Sequence, residues 1–349
     1  MLDHSLYRED VDAVTGLALP WQKLANKSIL ITGASGLIGS FLVDVLMQKN
    51  LHENLNLQVF ALGRSEEHAK AKFGAYWADP RFTFVSHDVN KPMTDLALGQ
   101  VDFVLHLASN THPRAYATDP IGTITANIIG TQNLLDFAVA HHSERFAFAS
   151  SNEIYGENRG DVDLFDEDYC GYLNSNTLRA GYPESKRAGE ALCQAYKTQK
   201  GLDVVIPRLT RTYGPTMASS DSKAIAQFLE NGLTKQNIVL KSKGTQLYSF
   251  TYVADAVSGL LTVLLQGLSG EAYNIADLDS NVTLRDLAQT IADAAGTKVV
   301  FDLPDATEKA GFSKATKALL DPAKLQALGW HAQFGMTTGI AHTLKILAK

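Results

Sequence analysis

Six short apolar runs, at 28–32, 57–62, 82–85, 101–106, 145–149 and 203–206, punctuate the first part of the chain. They are continuous rather than alternating, which is how strands covered on both faces read, and such strands belong to parallel sheets. Between them the apolar positions change to a helical period. The spacing predicts a helix over 37–49 with Leu37, Phe41, Val45 and Leu46 inward, regular helices over 123–140 and 179–199, and a less regular one over 65–78. Strands alternating with helices specify an α/β fold, a doubly wound parallel sheet with right-handed crossovers.

Beyond Pro207 the rhythm breaks. Helices are expected near 222–231, 253–265, 284–295 and 339–348, with short strands at 238–240 and 246–250. The organisation this implies is a first domain over 1–206 to which 244–265 returns, and a smaller C-terminal α+β lobe from 207–243 and 266–349. Residues 1–27 carry only faint helical signals, and nothing in the sequence assigns them a role.

The chain has 349 residues, with 31 basic and 37 acidic side chains and a formal net charge of -6, without a long run of either sign. That balance argues against nucleic acid as a partner. Two cysteines, Cys170 and Cys193, are too few for a disulfide framework, and no metal-ligand spacing is present, so a reducing, cytoplasmic setting is expected. No apolar stretch reaches the roughly 20 residues that span a bilayer, so no membrane association is expected.

Chemistry enters at Thr32-Gly-Ala-Ser-Gly-Leu-Ile-Gly39, which follows the first strand and opens the first regular helix. Gly33, Gly36 and Gly39 allow a sharp turn, close backbone approach to a phosphate and tight helix-to-strand packing, while the helix N-terminus offers amides to the anion. This is the dinucleotide-binding fingerprint of a Rossmann sheet, with Ser35, Leu37 and Ile38 beside the pyrophosphate. The second strand ends Leu62-Gly-Arg-Ser65 rather than in an acid. Gly63 leaves room and Arg64 offers charge for a ribose phosphate, so NAD and NADP both stay open. Asp88, after the third strand, is a candidate for the adenine amino group.

Tyr182 and Lys186 lie four positions apart on a predicted helix, hence on one face. An ammonium beside the phenol, together with a bound nicotinium charge, is expected to lower the tyrosine pKa and fit it to accept a proton as a hydride leaves the same carbon. Ser150-Ser-Asn-Glu-Ile-Tyr-Gly156 follows the fifth strand and reaches the same sheet edge, where Ser151 can donate to the hydroxyl being oxidised.

With these three elements the pattern resembles the extended short-chain dehydrogenase/reductase family, in its nucleotide-sugar epimerases, dehydratases and decarboxylases. Further matches follow in order: Leu105-His-Leu-Ala-Ser109, Asn127-Ile-Ile-Gly-Thr131, Tyr213-Gly-Pro215 and Phe250-Thr-Tyr-Val-Ala-Asp255. The stretch from His106 through Tyr116 and Pro120 to Thr131, and Lys186-Arg-Ala-Gly-Glu-Ala-Leu-Cys193, look most like UDP-glucuronate decarboxylases. The resemblance implies Ser151, Tyr182 and Lys186 as a catalytic triad. It places Val89, Leu107, Ala108, Ser109 and Asn127 against the cofactor, along with Tyr182 and Lys186. It also implies a 4-keto-sugar intermediate and a homodimer through the helices over 123–140 and 179–199.

Glu153 favours a decarboxylase or 4,6-dehydratase, since a simple 4-epimerase needs no carboxylate at C5. Asn152 departs from the aspartate of many dehydratases. Gly244-Thr-Gln-Leu-Tyr248 puts Tyr248 where the family commonly has arginine, and Arg211 stands where asparagine is usual. The expectation is a rearranged anion site in which Arg211 meets the diphosphate or a sugar carboxylate; the alternative pairs Arg211 with an acid of the smaller lobe. A 4-epimerase and a non-catalytic dinucleotide sensor stay open as alternatives. His112 and Arg114 fall in a loop that could touch the sugar.

Overall fold

The computed structural model describes residues 1–94, 96–111, 113–302 and 316–348, so His112 lies outside the described residues. The large sheet contains β1 (Ser28–Thr32), β2 (Gln58–Gly63), β3 (Phe82–Ser86), β4 (Phe103–His106), β5 (Arg145–Phe148), the short β6 (Ser150–Ser151), β7 (Val204–Leu209) and β11 (Ala272–Ile275). Its order is β3-β2-β1-β4-β5-β7-β11, all parallel, with β6 alongside β7. The chain winds outward in opposite directions from β1 and β4, so a crevice opens at their carboxyl ends, where open α/β sheets bind ligands.

Every residue of β1 and β4 is buried, as continuous apolar strands require. Helix α2 (Leu37–Glu53) buries far more than the one stripe its spacing predicts: Phe41, Leu42, Val43, Val45, Leu46 and Met47 are all inside. The cause is the N-terminal segment. Helix α1 (Ser5–Thr15) lies over α2 and over α8 (Val253–Gln266), converting a surface helix into one covered on several sides. The Tyr7 hydroxyl donates to Asp44 Oδ2 at 2.6 Å, and Lys49 Nζ donates to the Thr15 carbonyl at 2.8 Å. Asp10, fully buried on α1, accepts from the Tyr252 hydroxyl and meets His342 Nδ1 at 2.7 Å on the last helix, Met336–Leu347. Residues 1–27, silent in the sequence, thus hold both ends of the chain against the core.

A second sheet centres on β10 (Leu247–Tyr252), flanked by β12 (Asn281–Thr283), β14 (Lys317–Ala318) and β8 (Arg211–Tyr213), and a third pairs β9 (Ile238–Leu240) with β13 (Val299–Phe301). The expected return of 244–265 to the first domain divides differently here. Helix α8 packs on β7 and α2, while β10 joins the second sheet. Conversely, 272–275 extends the large sheet, Ala272 opposite Ile206. That strand escapes an apolar scan because Asn274 sits buried in its middle, accepting from the Tyr155 hydroxyl at 2.6 Å and donating to the Phe165 carbonyl at 2.9 Å.

Helix ends shift for local reasons. The helix expected over 65–78 stops as α3 (Glu66–Phe73), capped by Ser65, and gives way to a 3-10 turn at Gly74–Tyr76. Helix α5 (Pro120–Ala140) starts before 123 because Asp119 accepts from Gly122 N at 3.0 Å and Pro120 suits a first turn. Helix α6 (Gly181–Lys200) follows a 3-10 turn at Leu178–Ala180, placing Tyr182 in its first turn.

Candidate active site

The glycine turn is built for close approach. Gly33 has φ of +66°, and a Cβ there would lie 2.8 Å from the Ala108 backbone nitrogen. A Cβ on Gly39 would collide with the Gly33 carbonyl and come within 2.7 Å of Ala34 Cα, so only glycine lets α2 start against this turn. Gly36 is the N-cap of α2 and donates its N–H to the Gly33 carbonyl at 3.0 Å. Leu37 opens the helix with Ile38 next, and Ser35 stays half-buried at the rim. The Thr32 hydroxyl ties β1 to β4 from beneath, 2.8 Å from His106 Nδ1 and accepting from Ala108 N at 3.1 Å. Burial, with the charge of Lys186, pulls His106 down to about 3, so its ring is neutral.

The other cofactor candidates gather on the same edge. Leu107, Ala108 and Ser109 follow β4 and are half-buried, Val89 is buried against Gly130 of α5, and Asp88 closes the turn after β3 by accepting from Asn90 N at 3.0 Å. Asn127 is fully buried; its amide donates to Ser185 Oγ at 3.0 Å, and its Oδ1 has no hydrogen-bond partner. Arg64 is exposed just past β2. The cradle therefore fits a dinucleotide by shape: a backbone turn that side chains would fill, at the helix N-terminus beside the sheet crevice.

Ser151 ends β6 and Tyr182 lies in the first turn of α6, both buried. The Ser151 hydroxyl accepts from Glu153 N at 3.2 Å, opening the 3-10 turn Asn152–Tyr155. The expected lowering of the Tyr182 pKa is for a phenol beside a bound nicotinium charge; the protein alone sets the starting point. Burial pushes the Tyr182 phenol well above its ordinary value, and the Glu153 charge adds to that, while the Ser151 hydrogen bond and Arg179 pull the other way. Lys186 is 2% exposed, and its ammonium donates to the Ala149 carbonyl at 2.7 Å above the Phe148 ring. Burial brings it down to about 7 against the opposing pull of Glu190 and Cys193. The two groups, nearly equal in their ordinary values, are thus driven apart, the phenol upward and the ammonium downward, and at neutral pH the tyrosine of the protein alone keeps its proton.

Two residues that the sequence reading did not assign complete the site. Arg179 pairs with Glu153 Oε1 at 2.8 Å and lies 4.8 Å from the centre of the Tyr116 ring, which itself stacks on Tyr182 at 5.0 Å between centroids. Arg179 stands three positions before Tyr182, a helix-face spacing that could have flagged it. Tyr116 comes from α4 (Pro113–Thr118) and carries no local signal. Asn152 is buried in the turn beside Glu153.

Arg211 and Tyr248, odd separately, prove to be one arrangement. Strands β8 and β10 pair in parallel, and the Arg211 guanidinium lies 3.6 Å above the centre of the Tyr248 ring. Its Nη1 is buried without a hydrogen-bond partner. Burial lowers its pKa, opposed by Tyr248, Glu153 and Tyr116 and reinforced by Arg179. The alternative pairing of Arg211 with an acid of the smaller lobe is not observed among the described residues. Arg114, by contrast, turns to the lobe, donating its backbone N–H to Ser222 Oγ at 3.2 Å.

Beneath α6, Arg208 of β7 makes a two-pronged ion pair with Glu190, at 3.0 and 2.7 Å, and donates to the Tyr155 hydroxyl at 2.9 Å. Glu190 lies four positions beyond Lys186, so this pair anchors the helix that presents the lysine.

The chain is similar to known proteins over most of its length. The family described as "NAD dependent epimerase/dehydratase family" matches residues 29–276. UDP-glucuronic acid decarboxylase 6 of Arabidopsis thaliana is 33% identical over 322 residues, covering 90% of this chain and 87% of that protein. UDP-glucuronic acid decarboxylase 1 of Danio rerio is 31% identical over 326 residues, 93% of this chain and 73% of its own. Among solved structures, a dTDP-glucose 4,6-dehydratase from Streptomyces venezuelae with NAD bound superposes with a TM-score of 0.77 at 27% identity, covering 91% of this chain and 96% of that one.

Proposed function

The chain belongs to the NAD dependent epimerase/dehydratase family, and from that premise we propose that it decarboxylates a nucleotide-diphosphate hexuronate through a 4-keto intermediate. The observation that carries the choice of reaction is charge. Around Glu153 stand Arg179 and Arg211, two guanidiniums against one carboxylate, and Arg211 presents a buried nitrogen without a partner. A buried cation of this kind calls for an anion, and a sugar acid brings one.

Gly33, Gly36, Gly39 and the turn after β4 would hold the dinucleotide, which when bound supplies the hydride acceptor and returns the hydride. Ser151 orients the C4 hydroxyl, and Tyr182 Oη, in the phenolate form that a cationic nicotinamide ring beside it would favour, takes its proton as the C4 hydride departs. Lys186, poised near neutrality, is the group that exchanges that proton and meets the nicotinamide ribose. With a ketone at C4 the C6 carboxylate is a β-keto acid: the C5–C6 bond breaks, carbon dioxide leaves, and the electron pair moves onto the C4 oxygen. Arg211 orients the C6 carboxylate, Glu153 relays a proton from solvent to C5 in place of the lost carboxyl group, restoring the 4-ketone, and Tyr182 gives its proton back to the C4 oxygen as the hydride returns.

A panel of UDP-, dTDP-, GDP- and CDP-sugars, acidic and neutral, tests this by product mass. Loss of carbon dioxide from a hexuronate is expected; loss of water from a neutral hexose, an unchanged mass with altered retention, or no turnover would each overturn it. The proposal includes a reducing, cytoplasmic setting, supported by free Cys170 and Cys193, and a homodimer through α5 and α6, supported by the exposed Ile121 and Ile129 of α5 and Leu178 in the turn before α6. Sedimentation of a monomer would sink the dimer.

A further inference from the structure

In an open α/β sheet the end of the second strand faces the adenosine ribose, where an acid bonds the 2′-hydroxyl and an arginine accommodates a 2′-phosphate. Here β2 ends in Gly63, followed by Arg64 and Ser65, and none of these is an acid. The backbone does not demand that glycine: Gly63 is not among the glycines of positive φ. A Cβ on it would stand 3.4 Å from Phe84 Cε2 and 3.8 Å from Ser35 Oγ, ordinary contacts. An acidic side chain would start there without a clash, so its absence opens space rather than relieving crowding. That space is bordered by the Ser35 hydroxyl of the glycine turn. Arg64 is exposed beside it and engages no carboxylate among the described residues. The nearest acids along the chain are Glu66 and Glu67 in the first turn of α3, and Glu66 is already engaged by Lys70 at 2.7 Å.

We infer that the protein selects NADP over NAD, with Arg64 pairing a 2′-phosphate in the space left by Gly63 and Ser35 Oγ donating to the same group. The inference rests on the dinucleotide reading above and goes beyond those solved relatives that were crystallised with NAD. It is tested by equilibrium binding, independent of turnover: calorimetric titration with NADP⁺, NAD⁺ and adenosine 2′,5′-bisphosphate, together with the mass of any dinucleotide released when the purified protein is denatured. Tighter binding of NADP⁺ by about 10-fold or more is expected. Arg64→Ala, an exposed change, should weaken NADP⁺ and the bisphosphate about 10- to 100-fold and NAD⁺ less than about 3-fold, as loss of a charge-assisted bond dictates. Gly63→Asp should reverse the preference. NAD⁺ bound as tightly as NADP⁺, NAD alone released, or equal weakening of both by Arg64→Ala would overturn the inference and leave the dinucleotide reading standing. Binding of neither dinucleotide would remove both.

Discussion

Two clusters of buried polar groups in this protein are built on opposite terms. Where α1 meets α2, α8 and the last helix, each buried carboxylate has donors: Asp10 has Tyr252 and His342, Asp44 has Tyr7, and Asp255 accepts from the backbone of Gln333 and Phe334 at 2.7 and 2.9 Å. At the carboxyl edge of the large sheet, Arg211 Nη1, Ser150 Oγ and Asn127 Oδ1 are buried without hydrogen-bond partners. Satisfied burial stabilises a fold, whereas unsatisfied burial costs free energy and is kept where something else completes it. The contrast marks these three atoms as places a ligand could complete, although His4 Nδ1, Asp203 Oδ1 and Thr297 Oγ1, away from the site, are also buried without partners.

The sharpest test removes the phenol. Tyr182→Phe should lower kcat by about 10³-fold, the scale of lost general acid-base catalysis, with an unchanged melting temperature; steady-state kinetics beside calorimetry would read both. In the satisfied cluster the effects should invert. Asp10→Ala strands His342 and the Tyr252 hydroxyl and should cost about 3 kcal/mol of stability, measured by urea unfolding, with kcat within about 2-fold. If it abolished activity in still-folded protein, the division would fail.

Arg211→Ala should raise KM for a hexuronate about 10- to 100-fold, as expected for one lost charge-assisted bond, while changing stability by no more than about 2 kcal/mol, because loss of the stack on Tyr248 is offset by removal of a buried nitrogen without a partner. An unchanged KM would move the anion contact elsewhere. The smallest effect concerns pH. Burial raises Asp44 to about 6, so between its unfolded value and that point the native state holds a proton the unfolded chain has lost. Stability from this group therefore falls as pH rises, by about 1 kcal/mol between roughly pH 5 and pH 7. Asp44→Asn should flatten that slope in melting scans.

How much of this was legible in advance depended on whether a signal is local. The parallel strands read easily because burial on both faces leaves no polar alternation, and β11 was missed because Asn274 interrupts its run. The glycine turn, Ser151, Tyr182 and Lys186 announce themselves by spacing along the chain. The Arg211–Tyr248 stack does not, since it exists only once β8 and β10 pair; its two members read in sequence as unrelated departures. The displaced pKa values of Tyr182 and Lys186 are likewise products of burial, which no motif encodes.

The clasp between Asp10 and His342 joins residues 332 positions apart. A ribosome adding about 5–20 residues per second needs roughly 20 to 60 s to travel that distance. Throughout that interval α1 has been made while its last partner has not, and Asp10 cannot be buried with both its donors. Helix α1 is made long before it is locked, and it is clasped only once residue 342 has emerged.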